Sequence, residues 1–94
     1  MTTAQTVTHN ASAHRFELGV EGHLCRIDYR LVEGALDLYH TEVPQALEGR
    51  GLASLLVRAA FDYARQAGMG IRPSCSYVRA WARRQPDEGD LVRV

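Results

Sequence analysis

A glycine turn at residues 48–53 is the part of the chain that most clearly favours binding chemistry: Glu48-Gly49-Arg50-Gly51-Leu52-Ala53. Glycine has no Cβ, so the backbone at Gly49 and Gly51 can approach a ligand closely. A helix that begins at this turn leaves its first N–H groups unpaired at the positive end of the helix dipole. The glycine turn therefore predicts an anion site that would fit a phosphate or a pyrophosphate.

The helix that begins at the glycine turn is predicted over residues 51–67. Its apolar residues recur at helical spacing and would form one buried stripe, comprising Leu52, Leu55, Leu56, Ala59, Ala60 and Tyr63. Gly68 supplies a left-handed stop after the helix, and Arg65 places a cation in its last turns. The periodicity thus places the glycine turn at the N-terminus of an amphipathic helix.

Three strands are predicted before the glycine turn, because apolar and polar residues alternate over residues 14–20, 25–31 and 36–43. Short turns at Glu21-Gly22 and Glu33-Gly34 separate them, and Pro44 ends the third strand because proline cannot donate to a continuing ladder. The pattern predicts an antiparallel meander.

Two further elements are predicted after the helix. Residues 70–75 read as a short strand, which a right-handed crossover would lay parallel and near to residues 36–43. A second short helix past Ser76 would bury Val78 and Trp81 and end before Pro86. The predicted fold class is α+β: an antiparallel meander followed by α-β-α, with helices packed on one mixed sheet.

Composition limits the domain organisation and the partners. Residues 1–12 are polar and show no periodicity, so they are predicted to form a loose N-terminal tail. The chain of 94 residues is long enough for one small domain, which is predicted over residues 13–94. Eleven basic residues balance eleven acidic ones and there is no lysine, so neither nucleic acid nor a membrane surface is an expected partner. The absence of a signal-like or long apolar segment predicts a cytoplasmic protein.

Cysteine and histidine usage favours reduced thiols and no metal site. Cys25 and Cys75 are too few for a disulfide framework, and the histidines show no zinc-ligand spacing. Cys25 shares its predicted strand face with Ile27 and Tyr29, so it is expected to be an inert core residue.

Three motifs, in this order, resemble the small single-domain branch of the Gcn5-related N-acetyltransferases: His40-Thr41-Glu42-Val43-Pro44, the glycine turn, and Pro73-Ser74-Cys75-Ser76-Tyr77. In that superfamily the turn before the long helix reads Gln/Arg-x-x-Gly-x-Gly/Ala, and its amides hold the coenzyme A pyrophosphate. Gly51 and Ala53 match the last two positions, whereas Glu48 departs from the first.

The resemblance implies acetyl-CoA as the cofactor and a strand that splays at Val43, where its backbone would pair with the pantetheine arm. The cofactor-binding residues implied are Val43, Gly49, Arg50, Gly51, Leu52 and Ala53. The chain lacks the helical region between the first two strands that often builds the acceptor pocket in larger members, as in the small branch. The acceptor is therefore left open as a small-molecule or protein amine.

Four side chains are candidates for catalysis under this resemblance. Cys75 could accept the acetyl group and pass it on, or be a small buried residue. His40 and Glu42 are predicted to share a strand face with Leu36 and Leu38, where either could act as general base for an amine or be an ordinary surface residue. Tyr77 could protonate the departing coenzyme A thiolate, or pack against the main helix.

The sequence therefore predicts an acetyl-CoA-dependent N-acetyltransferase, acting directly on an amine or through Cys75, as a monomer or weak homodimer. The alternative is a non-catalytic module that binds coenzyme A or acyl-CoA. The missing acceptor-building region and the acidic Glu48 favour that alternative.

Overall fold

The structure, a computed structural model, describes residues 6–93. Its strands are β1 (Thr8–Asn10), β2 (Arg15–Val20), β3 (His23–Val32), β4 (Ala35–Glu42) and β5 (Gly70–Arg72). Its α-helices are α1 (Leu52–Ala67) and α2 (Ser76–Arg83), and short 3-10 helices cover Ala11–Ala13, Gln45–Leu47 and Pro86–Leu91. The predicted α+β class is confirmed.

The strands of the described range form one mixed sheet in the order β1-β2-β3-β4-β5. All neighbours are antiparallel except β4 and β5, which pair in parallel as predicted. Both residues of each Glu-Gly turn have positive φ: 51° and 79° at residues 21 and 22, and 46° and 77° at residues 33 and 34. Such turns match the twist of antiparallel strands, so they set the register of the meander.

The N-terminal tail predicted over residues 1–12 is wrong from residue 8 onward. Thr8–Asn10 pairs with β2 as an edge strand, and the Asn10 side chain caps the following 3-10 helix by accepting from the N–H of Ala13. The ring of His9 stacks on Phe16 at 4.3 Å between centroids, and its Nε2 lies 2.6 Å from the Tyr29 hydroxyl. These contacts depend on residues distant in sequence, which alternation alone does not reveal. Residues 1–5 lie outside the described range.

Helix α1 covers one face of the sheet and forms the core with it. The buried residues of α1 are Leu52, Leu56, Val57, Ala60, Phe61 and Ala64. The predicted stripe is therefore wrong at Leu55 and Tyr63, which are 39% and 37% exposed. The buried surface is rotated because α1 packs against α2 as well as the sheet: the rings of Phe61 and Trp81 lie 5.0 Å apart.

Helix α2 and the C-terminal segment close the other side of α1. Trp81 is 2% exposed, and its indole N–H donates to the Ser54 hydroxyl at 2.9 Å. Glu88 in the last 3-10 helix pairs with Arg58 at 2.8 Å and with Arg65 at 3.0 Å. The chain then returns to the sheet, where the N–H of Arg93 donates to the carbonyl of Ile71.

The face of the sheet turned away from α1 carries charged side chains that form ion pairs with one another. Arg26 lies 3.2 Å from Asp28, and Arg30 lies 3.6 Å from Asp37.

No helix within residues 6–93 is long and apolar enough to cross a membrane.

Candidate functional site

A pocket of about 180 Å³ opens at the N-terminus of α1. It is lined by Val43, Leu47, Glu48, Gly49, Gly51, Leu52, Ala53 and Tyr77. The structure thus brings together Val43 at the end of β4, the glycine turn and Tyr77 of α2, three parts of the chain that the sequence had singled out separately.

The loop before α1 folds in this way because one side chain anchors it and two glycines turn it. Leu47 closes the 3-10 helix and is 1% exposed, so it fixes the loop to the core. Gly49 and Gly51 have φ values of 84° and 76°, a left-handed backbone that other residues adopt only at a cost. Sequence reasoning missed Leu47, although an apolar residue just before a polar glycine turn is a signal for such an anchor.

The start of α1 presents backbone N–H groups that the helix itself does not use. Gly51 is the N-cap residue and has no side chain to cap the helix, and no acidic residue lies in the first turn. The first helical hydrogen bond is donated by the N–H of Leu55 to the carbonyl of Gly51. The N–H groups of the residues just before Leu55 therefore have no acceptor within the helix. This end of α1 is suited to an anion.

Arg50 lies in the glycine turn but outside the pocket lining. Its guanidinium donates to both oxygens of Glu21, at 2.6 Å and 3.3 Å, and this pair holds the pKa of Glu21 below its usual range. Both side chains are largely exposed. Arg50 is therefore held by the β2–β3 turn, whereas the acidic Glu48 does line the pocket.

The sheet opens beside the pocket, as the resemblance implied. Pairing between β4 and β5 ends at Asp37 with Arg72, and the N–H of Cys75 then donates to the carbonyl of Leu38 at 2.8 Å. In the described part of the chain, no strand pairs with this edge of β4 beyond Leu38. The edge is left available to an extended ligand that would pair with it.

Cys75 is the N-cap residue of α2 and is partly buried. Burial by itself raises the pKa of its thiol, but the Thr41 hydroxyl and the backbone amides of Val78 and Tyr77 outweigh it, so the pKa is lower than usual. The Thr41 Oγ1 lies 3.6 Å from the Cys75 sulfur. A lowered pKa increases the thiolate fraction, which is the nucleophilic form.

The placement predicted for His40 and Glu42 is wrong, because β4 contains a bulge. Leu38 pairs with Tyr29 and His40 pairs with Asp28, so Tyr39 is one extra residue on β4. The bulge changes the alternation: Thr41, opposite Ile27, shares the core face with Leu38.

His40 and Glu42 lie instead on the charged face, and both are exposed. Glu42 accepts from His40 at 3.2 Å and from Arg26 at 3.1 Å, interactions that lower its pKa, with the His40 bond the largest cause. A carboxylate stabilised in this way is a weaker base. Sequence reasoning missed Thr41, since the bulge left no mark in the alternation of β4.

Cys25 and Tyr77 lie where the residue types suggested. Cys25 is 0% exposed, and burial raises the pKa of its thiol, as expected of a core residue. Tyr77 lines the pocket and also packs partly against the core, a position compatible with either of the roles suggested for it.

A mixed sheet that opens beside a glycine turn at a helix N-terminus defines the class of N-acetyltransferase-like α+β domains. Within this class, the chain belongs to the GCN5-related N-acetyltransferase family, whose profile matches residues 15–91. The resemblance drawn from the three motifs is therefore confirmed.

The chain is similar to vertebrate proteins called Protein NATD1. The Xenopus tropicalis protein is 31% identical over 91 residues, covering 94% of this chain and 84% of that relative. The Homo sapiens protein is 37% identical over 59 residues, covering 63% and 52%. An NMR solution structure of a GCN5-like protein from Staphylococcus aureus has a TM-score of 0.74 at 24% identity, covering 94% of this chain and 87% of that one. This last likeness supports the fold.

Proposed function

We propose that the protein is an acetyl-CoA-dependent N-acetyltransferase, with its cofactor bound in the pocket at the N-terminus of α1. One observation carries the proposal: the pocket is lined both by the glycine turn and by Val43, the residue that directly follows β4. A polyanion on the first-turn amides and an extended arm along the strand edge would use both features.

The cofactor-binding roles follow from position. The amides of residues 49–53 would bind the pyrophosphate, since the backbone at Gly49 and Gly51 lies open at the pocket. Val43 and the edge of β4 would pair with the pantetheine arm. Arg50 would reach a phosphate after leaving Glu21, an exposed pair that exchanges readily with solvent.

Cys75 is the residue best suited to receive the acetyl group. Its thiolate would attack the thioester carbonyl, forming a new carbon–sulfur bond while the bond to coenzyme A breaks and Tyr77 or water protonates the departing thiolate. A neutral amine would then attack the acetyl-cysteine, the carbon–nitrogen bond would form, and Cys75 would leave as a thiolate as the amine loses its proton.

A direct transfer would bypass Cys75 and use His40 or Glu42 as the base. These residues lie on the sheet face opposite Thr41, so an acceptor for this route would approach from the charged face. The lowered pKa of Glu42 makes it a poor base near neutral pH, and His40 is the stronger candidate of the two.

A second candidate function is binding of coenzyme A or acyl-CoA without turnover. One observation favours it: His40 and Glu42, the two candidate bases, lie on the charged face of the sheet, opposite the face of Thr41. Glu48 in the pocket lining and Glu21 beside Arg50 place negative charge near the phosphates, which would weaken cofactor binding in either function.

The first experiment is a thermal melt with acetyl-CoA, using ATP as a phosphate control. Ligand at 100 times its dissociation constant should stabilise the native state by about 2.7 kcal/mol. A shift with acetyl-CoA that ATP does not produce supports the cofactor site, and no shift with acetyl-CoA refutes it.

Intact-mass spectrometry after one turnover with acetyl-CoA then separates the routes. An acetyl adduct that disappears in Cys75→Ala and is released by an amine supports the covalent route. Amine acetylation at the normal rate in Cys75→Ala refutes that route, and stable binding without turnover over a wide amine panel supports the binding module.

A further inference from the structure

Cys75 is attached to β4 at two points, one on each side of the bulge. Its N–H donates to the carbonyl of Leu38 at 2.8 Å, and its sulfur lies 3.6 Å from the Thr41 hydroxyl. Tyr39, the extra residue of the bulge, lies between these two points on β4. The backbone and the side chain of Cys75 are thus fixed independently to the same strand.

The Thr41 hydroxyl is available to Cys75 because of the face on which it lies. Thr41 is paired with Ile27 on the core face, whereas His40 and Glu42 are on the other face and bond to each other. Across residues 6–93, the contact with Cys75 is the one side-chain hydrogen bond of Thr41. A β-branched side chain has few χ1 rotamers, so the hydroxyl of Thr41 is held within reach of the Cys75 sulfur.

The chemistry of this contact favours an oriented thiolate. A hydroxyl that donates to sulfur stabilises the negative charge, and the amides of Val78 and Tyr77 act in the same direction from the first turn of α2. The amides are fixed by the helix, but the hydroxyl is a side chain that a substitution can remove without changing the backbone.

We propose that Thr41 is the positioning residue for Cys75: its hydroxyl fixes the sulfur at the N-terminus of α2 in the orientation from which it attacks the thioester. This inference rests on the proposed role of Cys75 as acetyl acceptor. Thr41 itself does not react; it acts through the sulfur.

The test compares Thr41→Val, which keeps the branched shape and removes the hydroxyl, with Thr41→Ser, which keeps the hydroxyl. The rate of Cys75 alkylation by iodoacetamide is measured against pH by intact-mass spectrometry, without any cofactor. Cys25 is 0% exposed and serves as the internal control, because a second adduct reports unfolding.

Thr41→Val is expected to move the inflection of the alkylation profile upward by about half to one pH unit, the effect of one lost hydrogen bond. Thr41→Ser should keep the wild-type inflection. A purely structural role would change the melting temperature and leave the inflection in place. The inference is overturned if the wild-type and Thr41→Val profiles coincide while Cys25 stays unmodified.

Acetylation of Cys75 by acetyl-CoA is measured in the same proteins, so that the two proposals can fail separately. Slower acetylation of Thr41→Val than of Thr41→Ser at neutral pH supports the inference. If Cys75 is not acetylated even in the wild type, the covalent route fails, and with it the attack that Thr41 is proposed to orient. If acetylation is normal but the alkylation profiles of the wild type and Thr41→Val coincide, only the positioning role of Thr41 is refuted.

Discussion

Gly51→Ala tests whether the backbone of the glycine turn holds the cofactor. Gly51 is the N-cap of α1, has φ 76° and ψ 16°, and lines the pocket. Apart from the residues next to it in the chain, an alanine methyl at this position would meet no heavy atom of the protein within 4 Å. The substitution therefore adds no internal clash, and its effects on stability and on ligand binding have separate causes.

The expected loss of stability comes from the backbone alone. A left-handed conformation costs an L-residue about 1–2 kcal/mol. Alanine recovers about 0.4–1 kcal/mol of this by restricting the unfolded chain. The net destabilisation is about 1 kcal/mol, which lowers the melting temperature of a domain of this size by about 4–8 °C.

Gly68→Ala is the matched control at the other end of the same helix. Gly68 has φ 70° and ψ 30°, and a methyl there would likewise meet nothing within 4 Å. The two glycines are separated by the length of α1, about 24 Å at the usual rise per residue. Both variants should lose a similar amount of stability in urea unfolding.

Binding of acetyl-CoA should distinguish the two variants. If the proposed site is correct, the methyl of Gly51→Ala would lie between the pyrophosphate and the first-turn amides; loss of one charge-assisted hydrogen bond costs about 1.5–3 kcal/mol, or about ten- to a hundredfold in affinity. Gly68→Ala should bind as the wild type does in titration calorimetry. Equal affinity of the two variants would refute the reasoning, because the cofactor would then not contact the backbone at this turn.

Three further substitutions test other features. Glu88→Gln removes a carboxylate bound by Arg65 and Arg58, and should cost about 1–2 kcal/mol in urea unfolding. These arginines lower the pKa of Glu88, so its contribution is present above about pH 4.5 and is lost as the pH falls below that value. Burial lowers the pKa of His9, so as the pH falls the unfolded chain takes up the proton before the folded chain does, and the wild type loses stability. His9→Gln should therefore reduce the loss of stability below about pH 6.5. Thermal melts at several pH values measure this difference. Glu21→Gln should release Arg50 and raise acetyl-CoA affinity by about two- to fivefold in calorimetry.

Each of these predictions has a control on the same chain. Glu33→Gln, in an exposed turn, should leave urea stability unchanged; a loss equal to that of Glu88→Gln would contradict a specific role for the buried Glu88 carboxylate. The wild type is the control for His9→Gln, and equal pH dependence of stability in the two proteins would contradict the prediction. Glu21→Gln should bring no gain in an Arg50→Ala background; a gain there would show that the carboxylate acts on the phosphates directly.

Local patterns predicted the elements around the site well. The Glu-Gly turns fixed the meander, and the helical period placed α1 within a residue of its observed start at Leu52. Gly68 ends α1 in the left-handed conformation that its position indicated. These features succeed because each is determined by residues close together in the chain.

Features that depend on the facing element were not predictable from alternation. The bulge at Tyr39 arises because β4 has one residue more than β3 over the same span, which cannot be read from either strand alone. Strand β1 is held to the sheet because the ring of His9 packs against Phe16 of β2 and Tyr29 of β3. Glu88 is buried because two arginines of α1 reach it from elsewhere in the chain.

The bulge at Tyr39 also affects how this chain should be aligned with others. Tyr39 is 41% exposed, and the guanidinium of Arg30 stacks on its ring at 4.4 Å. If Tyr39 were deleted, β4 would become a regular strand in which Leu38 and Thr41 still share one face and His40 the other. A homologous strand one residue shorter would thus present the same side chains on the same faces of the sheet. Equivalent positions in this strand should therefore be counted from their partners on β3, since counting forward from the Glu33-Gly34 turn across such a gap would assign the role of Thr41 to a residue on the opposite face.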